Sequence, residues 1–396
     1  MLFKKFDMGF FSVVSLGIGS IVGAGIFALL GQVILMAGDR TYYSFVIAGI
    51  VAMFSGYSYA KLAAKYPDSG GLTDYFRIAF KSKWLIGFFT LIYVLTSAIS
   101  ISMMAKSFGI YAVDLLKNFG HFHFSINFFA VLLIVALAFL NMMGAADVGR
   151  TEMLLVGIKL FILVLLVAAA FWEYPPEVIP GIDHTPNLSF WGSIGITFFA
   201  YAGYGVMTNA AGDVENPKKT ITHSIYATIL IVMALYIGLA FVVLTYIPVP
   251  ELNADANTAV AIASKKLLGN FGYAFIYIAA VMAFISGINA TFFSIFRITH
   301  SLSQQHIFPH FYMVTFFRNG TWGNLLTTIL IILATLFFDF NSIVNLSSGA
   351  YLVSYLAIFA ANWRLRRETS SSWLLIALGF IAMSLIFVAF IANLLP

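Results

Sequence analysis

Gly17-Ile18-Gly19-Ser20-Ile21-Val22-Gly23-Ala24-Gly25-Ile26-Phe27 interrupts a stretch that is otherwise apolar enough to be a plain membrane helix. A second interruption, Phe198-Phe199-Ala200-Tyr201-Ala202-Gly203-Tyr204-Gly205, sits in the matching place of the other half of the chain. Unwound backbone carries N–H and C=O groups that lipid cannot satisfy. It is tolerated at membrane depth only where protein buries it or it lines a cavity. A matched pair of broken helices therefore predicts a ligand site between them, an arrangement that transporters use.

Composition agrees with a membrane setting. Hydrophobic residues make up 61% of the 396 and charged residues 9%, with 41 phenylalanines. Soluble domains average about 45–50% and about 25%. No polar stretch is long enough to be a separate water-soluble domain. The chain has no cysteine, which removes disulfides, thiolate metal sites and cysteine nucleophiles. No cleavable leader is expected: the first apolar segment follows Lys4, Lys5 and Asp7, runs too long, and leads directly into the next. The net charge of +5 contains no dense basic run, so no nucleic-acid partner is expected.

A crossing needs about 20 apolar residues. Segments of that kind are read at roughly 9–35, 41–64, 84–112, 125–143, 152–172, 189–212, 221–247, 271–298, 322–338, 341–363 and 373–395, about eleven crossings in all. With the N-terminus inside, the inner segments collect most of the lysine and arginine, including Lys61, Lys65, Arg77, Arg150, Lys218, Lys219, Arg297 and Arg364. Arg40, Lys106, Lys117, Lys265 and Lys266 fall on the other side, the asymmetry of the positive-inside rule. Tyr66-Pro67-Asp68-Ser69-Gly70-Gly71 should end the second segment and begin a loop. Asn216-Pro217-Lys218-Lys219 should close the sixth, since proline does not continue a helix and cations suit its C-terminal end. Residues 248–270 are too polar to span, and a short helix over 259–268 should lie against the outer face.

The first glycine cluster offers a face almost without side chains. Gly23 and Gly25 should let the backbone leave the helical region cheaply. The amides of Ser20, Gly23, Ala24 and Gly25 would then face a cavity at the positive end of the next half-helix, a place for a carboxylate. Close helix–helix packing explains the same small residues. At the second cluster, freed carbonyls could take an ammonium group and an aromatic ring could cap the cavity or attract a cation; ordinary packing of phenylalanine and tyrosine is the competing reading.

Lys159 is the one basic residue that these crossings place well inside the bilayer, about 13 Å along a helix starting near Arg150. An ionisable group so deep costs about 2.5–3.5 kcal/mol on insertion scales and is usually functional. The competing reading is an amine that snorkels to the surface. Ser286, Asn289 and Thr291 could face the same cavity, or bond across helices. Asp213 and Glu215 read as surface ion pairs. His121 and His123 have no third ligand, so no metal site is expected. No nucleotide-binding lysine motif and no catalytic motif appears, so neither a cofactor nor an enzyme is expected.

Gly19-Ser20-Ile21-Val22-Gly23-Ala24-Gly25-Ile26-Phe27 resembles the first-helix signature of the amino acid–polyamine–organocation (APC) superfamily. Residues 60–71 resemble its second-helix ending, and Phe198–Tyr204 with Asp213-Val214-Glu215-Asn216-Pro217 its sixth helix and following loop. Arg297 with Pro309 is similar to its arginine–proline spacing after the eighth helix. The resemblance implies an all-α membrane protein of two inverted five-helix repeats, about 9–172 and 189–363, with broken first and sixth helices and an extra C-terminal helix over 373–395. It implies a single transporter domain that works by alternating access in the cell membrane. Ser20, Ala24 and Gly25 would hold a substrate carboxylate, while carbonyls at Ile21, Phe199 and Ala202 would hold its amino group, with Phe199 as a gate. Gly23 and Gly203 belong to the same broken backbone. Lys159 falls where proton-coupled and exchanging members place a lysine instead of a second sodium ion, with Ser286 as its partner.

Three departures stand out. The superfamily usually has an acidic residue where Lys61 stands, often has glutamate where Gly205 stands, and usually has twelve helices. Homodimerisation stays open. The expectation is a permease for amino acids or related amines, coupled to protons or to exchange. An inorganic-cation carrier on the same architecture and a non-transporting sensor are the alternatives.

Overall fold

The computed structural model describes residues 8–67, 71–117, 124–143, 148–173, 188–214 and 216–394. Asp68, Ser69, Gly70, His121, His123 and Glu215 lie outside them, as do the side chains of Ala24, Arg150 and Asp213.

The first expected crossing is three pieces: α1 (Phe10–Ile21), α2 (Ala24–Phe27) and α3 (Leu30–Ala37). α4 (Thr41–Lys65) follows after a 3-10 turn over Gly38–Arg40. The next stretch is not simply loop: α5 (Leu72–Phe80) buries Leu72, Tyr75 and Phe76 and pairs Asp74 with Arg77 at 3.1 Å. One apolar face every 3.6 residues was enough to make a helix too short to be read as a crossing. α6 (Lys83–Lys117), α7 (Ile126–Met143) and α8 (Val148–Trp172) complete the first half.

The second half opens with α9 (Leu188–Tyr201), which stops well short of the expected 212. From Tyr204 to Asp213 the chain winds as a 3-10 helix. α10 (Pro217–Tyr246) comes next, and here one expectation is corrected. Asn216-Pro217 opens this helix rather than closing its predecessor. The Asn216 side chain accepts from the Lys219 amide at 3.3 Å, and Pro217 takes the first helical position, where a missing N–H costs nothing.

α11 (Val249–Asp255) precedes α12 (Ala259–Gln304), a long helix bent at Gly269, whose φ of 63° puts a corner between its leading arm and the main span. The short helix expected over 259–268 is that arm. A two-stranded hairpin, β1 (Thr315–Phe317) with β2 (Gly320–Thr321), leads into α13 (Trp322–Phe337). α14 (Phe340–Leu365) and α15 (Trp373–Leu394) finish the chain.

Eight helices among the described residues are long and apolar enough to cross a membrane. The expected crossings missing from that set are the two broken segments and α13, which has 16 residues. Interior hydroxyls mostly bond within the protein, as lipid requires. Thr197 and Thr299 donate back to the carbonyls four residues earlier, and Ser44 joins Ser193 (3.1 Å) and Thr197 (2.8 Å) across α4 and α9. Lys106, expected on the outer side, is buried in α6. Its amine donates to the Phe338 carbonyl at the end of α13, where an unpaired C=O and a helix dipole favour a cation.

Candidate functional site

The two interruptions meet. Gly203 lies so close to Ser20 that a Cβ there would sit 2.8 Å from the serine hydroxyl oxygen and 3.0 Å from its carbonyl oxygen. A Cβ on Gly25 would be 2.9 Å from the Ala200 Cα. Only glycine permits backbone to approach backbone so nearly.

The first turn falls at Val22, with φ −79° and ψ 74°, and the Gly23 amide turns back to the Ile21 carbonyl at 2.9 Å. Gly23 and Gly25 were expected to let the backbone leave the helical region, and Gly23 does lie between α1 and α2. Neither has a positive φ, and Gly25 lies within α2, so its role is close approach. The Ser20 amide belongs to α1, leaving Ala24 and Gly25 to begin the next half-helix.

Breaking a helix frees carbonyls, and each needs a donor. Lys159 on α8 donates to Gly19 O at 3.2 Å and Val22 O at 2.9 Å. Its side chain is fully buried, so the snorkelling reading fails. The Tyr236 hydroxyl on α10 reaches Ile21 O at 3.2 Å and Ala200 O at 3.1 Å, joining both breaks through one group. Tyr111 on α6 donates to Phe27 O at 2.9 Å, where α2 ends. Three side chains from three helices thus hold the carbonyls around the first interruption.

The second turn is built differently. Ala202 N bonds Phe199 O at 2.9 Å, and Gly203 takes φ 130°, a conformation that L side chains rarely adopt. Its amide donates to the Tyr355 hydroxyl at 3.3 Å. Phe199 is buried, its ring 5.3 Å from that of Tyr351.

Between the turns lies a cavity of ≈ 20 Å³, room for about one water. Ser20 and Gly203 line it, together with Thr291 on α12 and rings from α4, α6 and α14. Lys159 and Ser286 are not in its wall; Ser286 is buried on α12, which packs against both α1 and α8. Asn289 takes the other expected course, accepting from Asn141 on α7 at 2.7 Å. Among the described residues no three His, Asp or Glu side chains cluster as metal ligands.

Tyr59, Tyr111, Tyr236 and Tyr355 were not singled out by the sequence reading. A tyrosine in the middle of an apolar segment carries a hydroxyl that must find a partner when buried. That requirement was the available signal: loose carbonyls of the first break answer it for Tyr111 and Tyr236, and the Gly203 amide answers it for Tyr355.

A polytopic helical protein whose two broken segments converge on a small chamber has the build of a membrane transporter. Comparison with known proteins identifies which kind. The amino acid permease family model matches residues 8–396, and the chain belongs to that family, whose members are transporters and not enzymes. The inner membrane transport protein YbaT of Escherichia coli (strain K12) is 40% identical over 387 residues, covering 98% of this chain and 90% of that protein. The serine/threonine exchanger SteT of Bacillus subtilis (strain 168) is 23% identical over 77% of this chain and 70% of its own length. The branched-chain amino acid permease BcaP of Lactococcus lactis subsp. cremoris (strain MG1363) is 24% identical over 90% and 81%.

Proposed function

We propose that this permease is a secondary active transporter of amino acids in the plasma membrane, working by alternating access with proton coupling through Lys159. In this reading residues 9–172 and 189–363 are inverted repeats, 373–395 is an added helix, the N-terminus is cytoplasmic, and the two broken segments and α13 also cross. The substrate carboxylate would meet the Ser20 hydroxyl and the backbone at Gly23, Ala24 and Gly25. Its ammonium would meet carbonyls at Ile21, Phe199 and Ala202, beside Gly203. The ≈ 20 Å³ chamber must widen to admit an amino acid, and that widening is the conformational step.

The observation that carries this reading is the Lys159 amine on the Gly19 and Val22 carbonyls. Charge-assisted hydrogen bonds are roughly twice as strong as neutral ones, so loss of the proton would loosen the first break. Ser286 would then share the amine during the cycle. The absence of a carboxylate among the described wall residues weighs against the inorganic-cation alternative.

The test uses purified protein in liposomes. Wild type should accumulate an amino acid under an imposed proton gradient and exchange it by counterflow. Lys159→Ala should lose the gradient-driven component and keep counterflow, which a sensor would never show. Undiminished gradient-driven uptake by that variant would falsify the assigned coupling role.

A further inference from the structure

Of the relatives described above, two are named for substrates with different side chains, hydroxylated in one case and branched in the other. The wall of the chamber distinguishes between them. Among its described lining residues, Val206 is the only aliphatic side chain. The hydroxyl-bearing residues Ser97, Thr291 and Ser294 belong to the wall, as do Tyr59, Tyr93 and Tyr351. No acidic or basic side chain lines it among the described residues.

Gly205 explains part of that neutrality. A Cβ built there would lie 3.1–3.2 Å from the Tyr59 ring and hydroxyl. Tyr59 is itself fully buried and held edge-on against Tyr204 and Tyr355, with ring centroids 5.8 and 5.5 Å away. The volume through which a longer side chain at 205 would reach the chamber is therefore filled by a ring. A cationic substrate side chain would enter without a carboxylate to meet it, and an anionic one without a cation.

Thr291 gives the wall a direction. Its hydroxyl proton is committed to the Gly287 carbonyl at 2.7 Å, so its oxygen offers only lone pairs to whatever lies beside it. An acceptor of that kind recognises a donor.

We propose that the site takes small, uncharged amino acids that carry a side-chain hydroxyl, serine and threonine, ahead of branched aliphatic and charged ones. The inference rests on the reading of this chamber as the amino-acid site. Polar groups in a site built to bond a substrate hydroxyl are left unpaired by an analogue that lacks it, and discrimination is then strong.

Threonine and valine have nearly the same shape, so the pair isolates the hydroxyl from size. Proteoliposomes loaded with labelled serine should exchange with external threonine about tenfold or more faster than with external valine. Leucine, lysine and glutamate should exchange no better than valine. Thr291→Val should lower the threonine-to-valine ratio several-fold, whatever it does to the absolute rate. Equal exchange with valine and threonine in the wild type overturns the proposed specificity while leaving amino-acid transport standing, as does a preference for lysine, glutamate or leucine. If no amino acid supports exchange, the transporter reading itself fails.

Discussion

The two breaks do the same thing to a helix and are secured in opposite ways. At Val22 the backbone needs no special residue, and the freed carbonyls are held from outside by Lys159 and Tyr236. At Gly203 the turn is written into the backbone itself, with a φ of 130°. No charged side chain is recorded on its amide, which goes to the Tyr355 phenol. A turn held by a protonatable amine can be loosened by moving one proton. A turn made by a glycine torsion and a neutral phenol cannot. The first break therefore has the properties of a switch and the second those of a fixed frame.

Paired glycine substitutions probe this contrast with the largest expected effect. Gly203→Ala forces a side chain into a backbone region it resists, about 1–3 kcal/mol, and drives the methyl toward the Ser20 hydroxyl 2.8 Å away. Overpacking of that sort adds about 1–3 kcal/mol. Gly23→Ala meets only Met104 Sδ at 3.6 Å and Ala283 O at 3.8 Å, which is ordinary contact. Thermal unfolding in detergent should show a loss above about 2 kcal/mol for the first and within about 0.5 kcal/mol for the second. Equal losses would erase the distinction between the two turns.

Sequence alone reached the location of both breaks, because glycine clusters inside apolar segments are visible without coordinates. It also reached Lys159, because a lysine at that depth violates the local pattern. What it did not reach was the means of support. Tyr236 and Tyr111 look like any other aromatic in an apolar helix, and their importance depends on which carbonyl lies opposite. The corner at Ala28–Leu29 between α2 and α3 was invisible for the opposite reason, since both residues are apolar and buried like their neighbours. The role of Gly25 was misjudged because spacing shows that a residue is small, not whether the smallness serves a dihedral or a contact.

Tyr236 offers a finer probe, since it belongs to both sides of the comparison. Tyr236→Phe removes the hydroxyl that joins Ile21 O to Ala200 O while keeping the ring. The expected loss is about 0.5–1.5 kcal/mol, the net worth of a buried hydrogen bond. Lys159 and Tyr236 brace the same turn, so a double-mutant cycle between Tyr236→Phe and Lys159→Met should show coupling of about 0.5 kcal/mol or more. Strict additivity would mean that the two side chains support independent pieces of structure.

The smallest expected effect tests the frame around the second break. α4, which carries Tyr59, is fastened to the end of α14 and the segment after it. Asn362 donates to Ser58 at 3.2 Å, Lys61 to the Ser370 carbonyl at 3.0 Å, and Tyr66 to Glu368 at 2.7 Å. Lys61, the residue that departs from the superfamily pattern, thus has a main-chain acceptor that suits a cation. Burial, then the hydrogen bond and charge of Glu368, push the Tyr66 phenol from 10.0 up to about 12. The sign follows from which form is favoured: a raised value means that the neutral phenol is the one stabilised by folding. Its contribution is complete below pH 10 and fades as pH rises toward 12. The gap in stability between wild type and Tyr66→Phe should therefore be constant from neutral pH to about 9 and close above that window. Ultraviolet difference titration of the two proteins should show one phenol ionising late. The contact is partly exposed and worth little, so transport at neutral pH should hardly change. A Tyr66 phenol that titrates like a free one would mean that this fastening is loose, and that the second break is less rigidly framed than its backbone suggests.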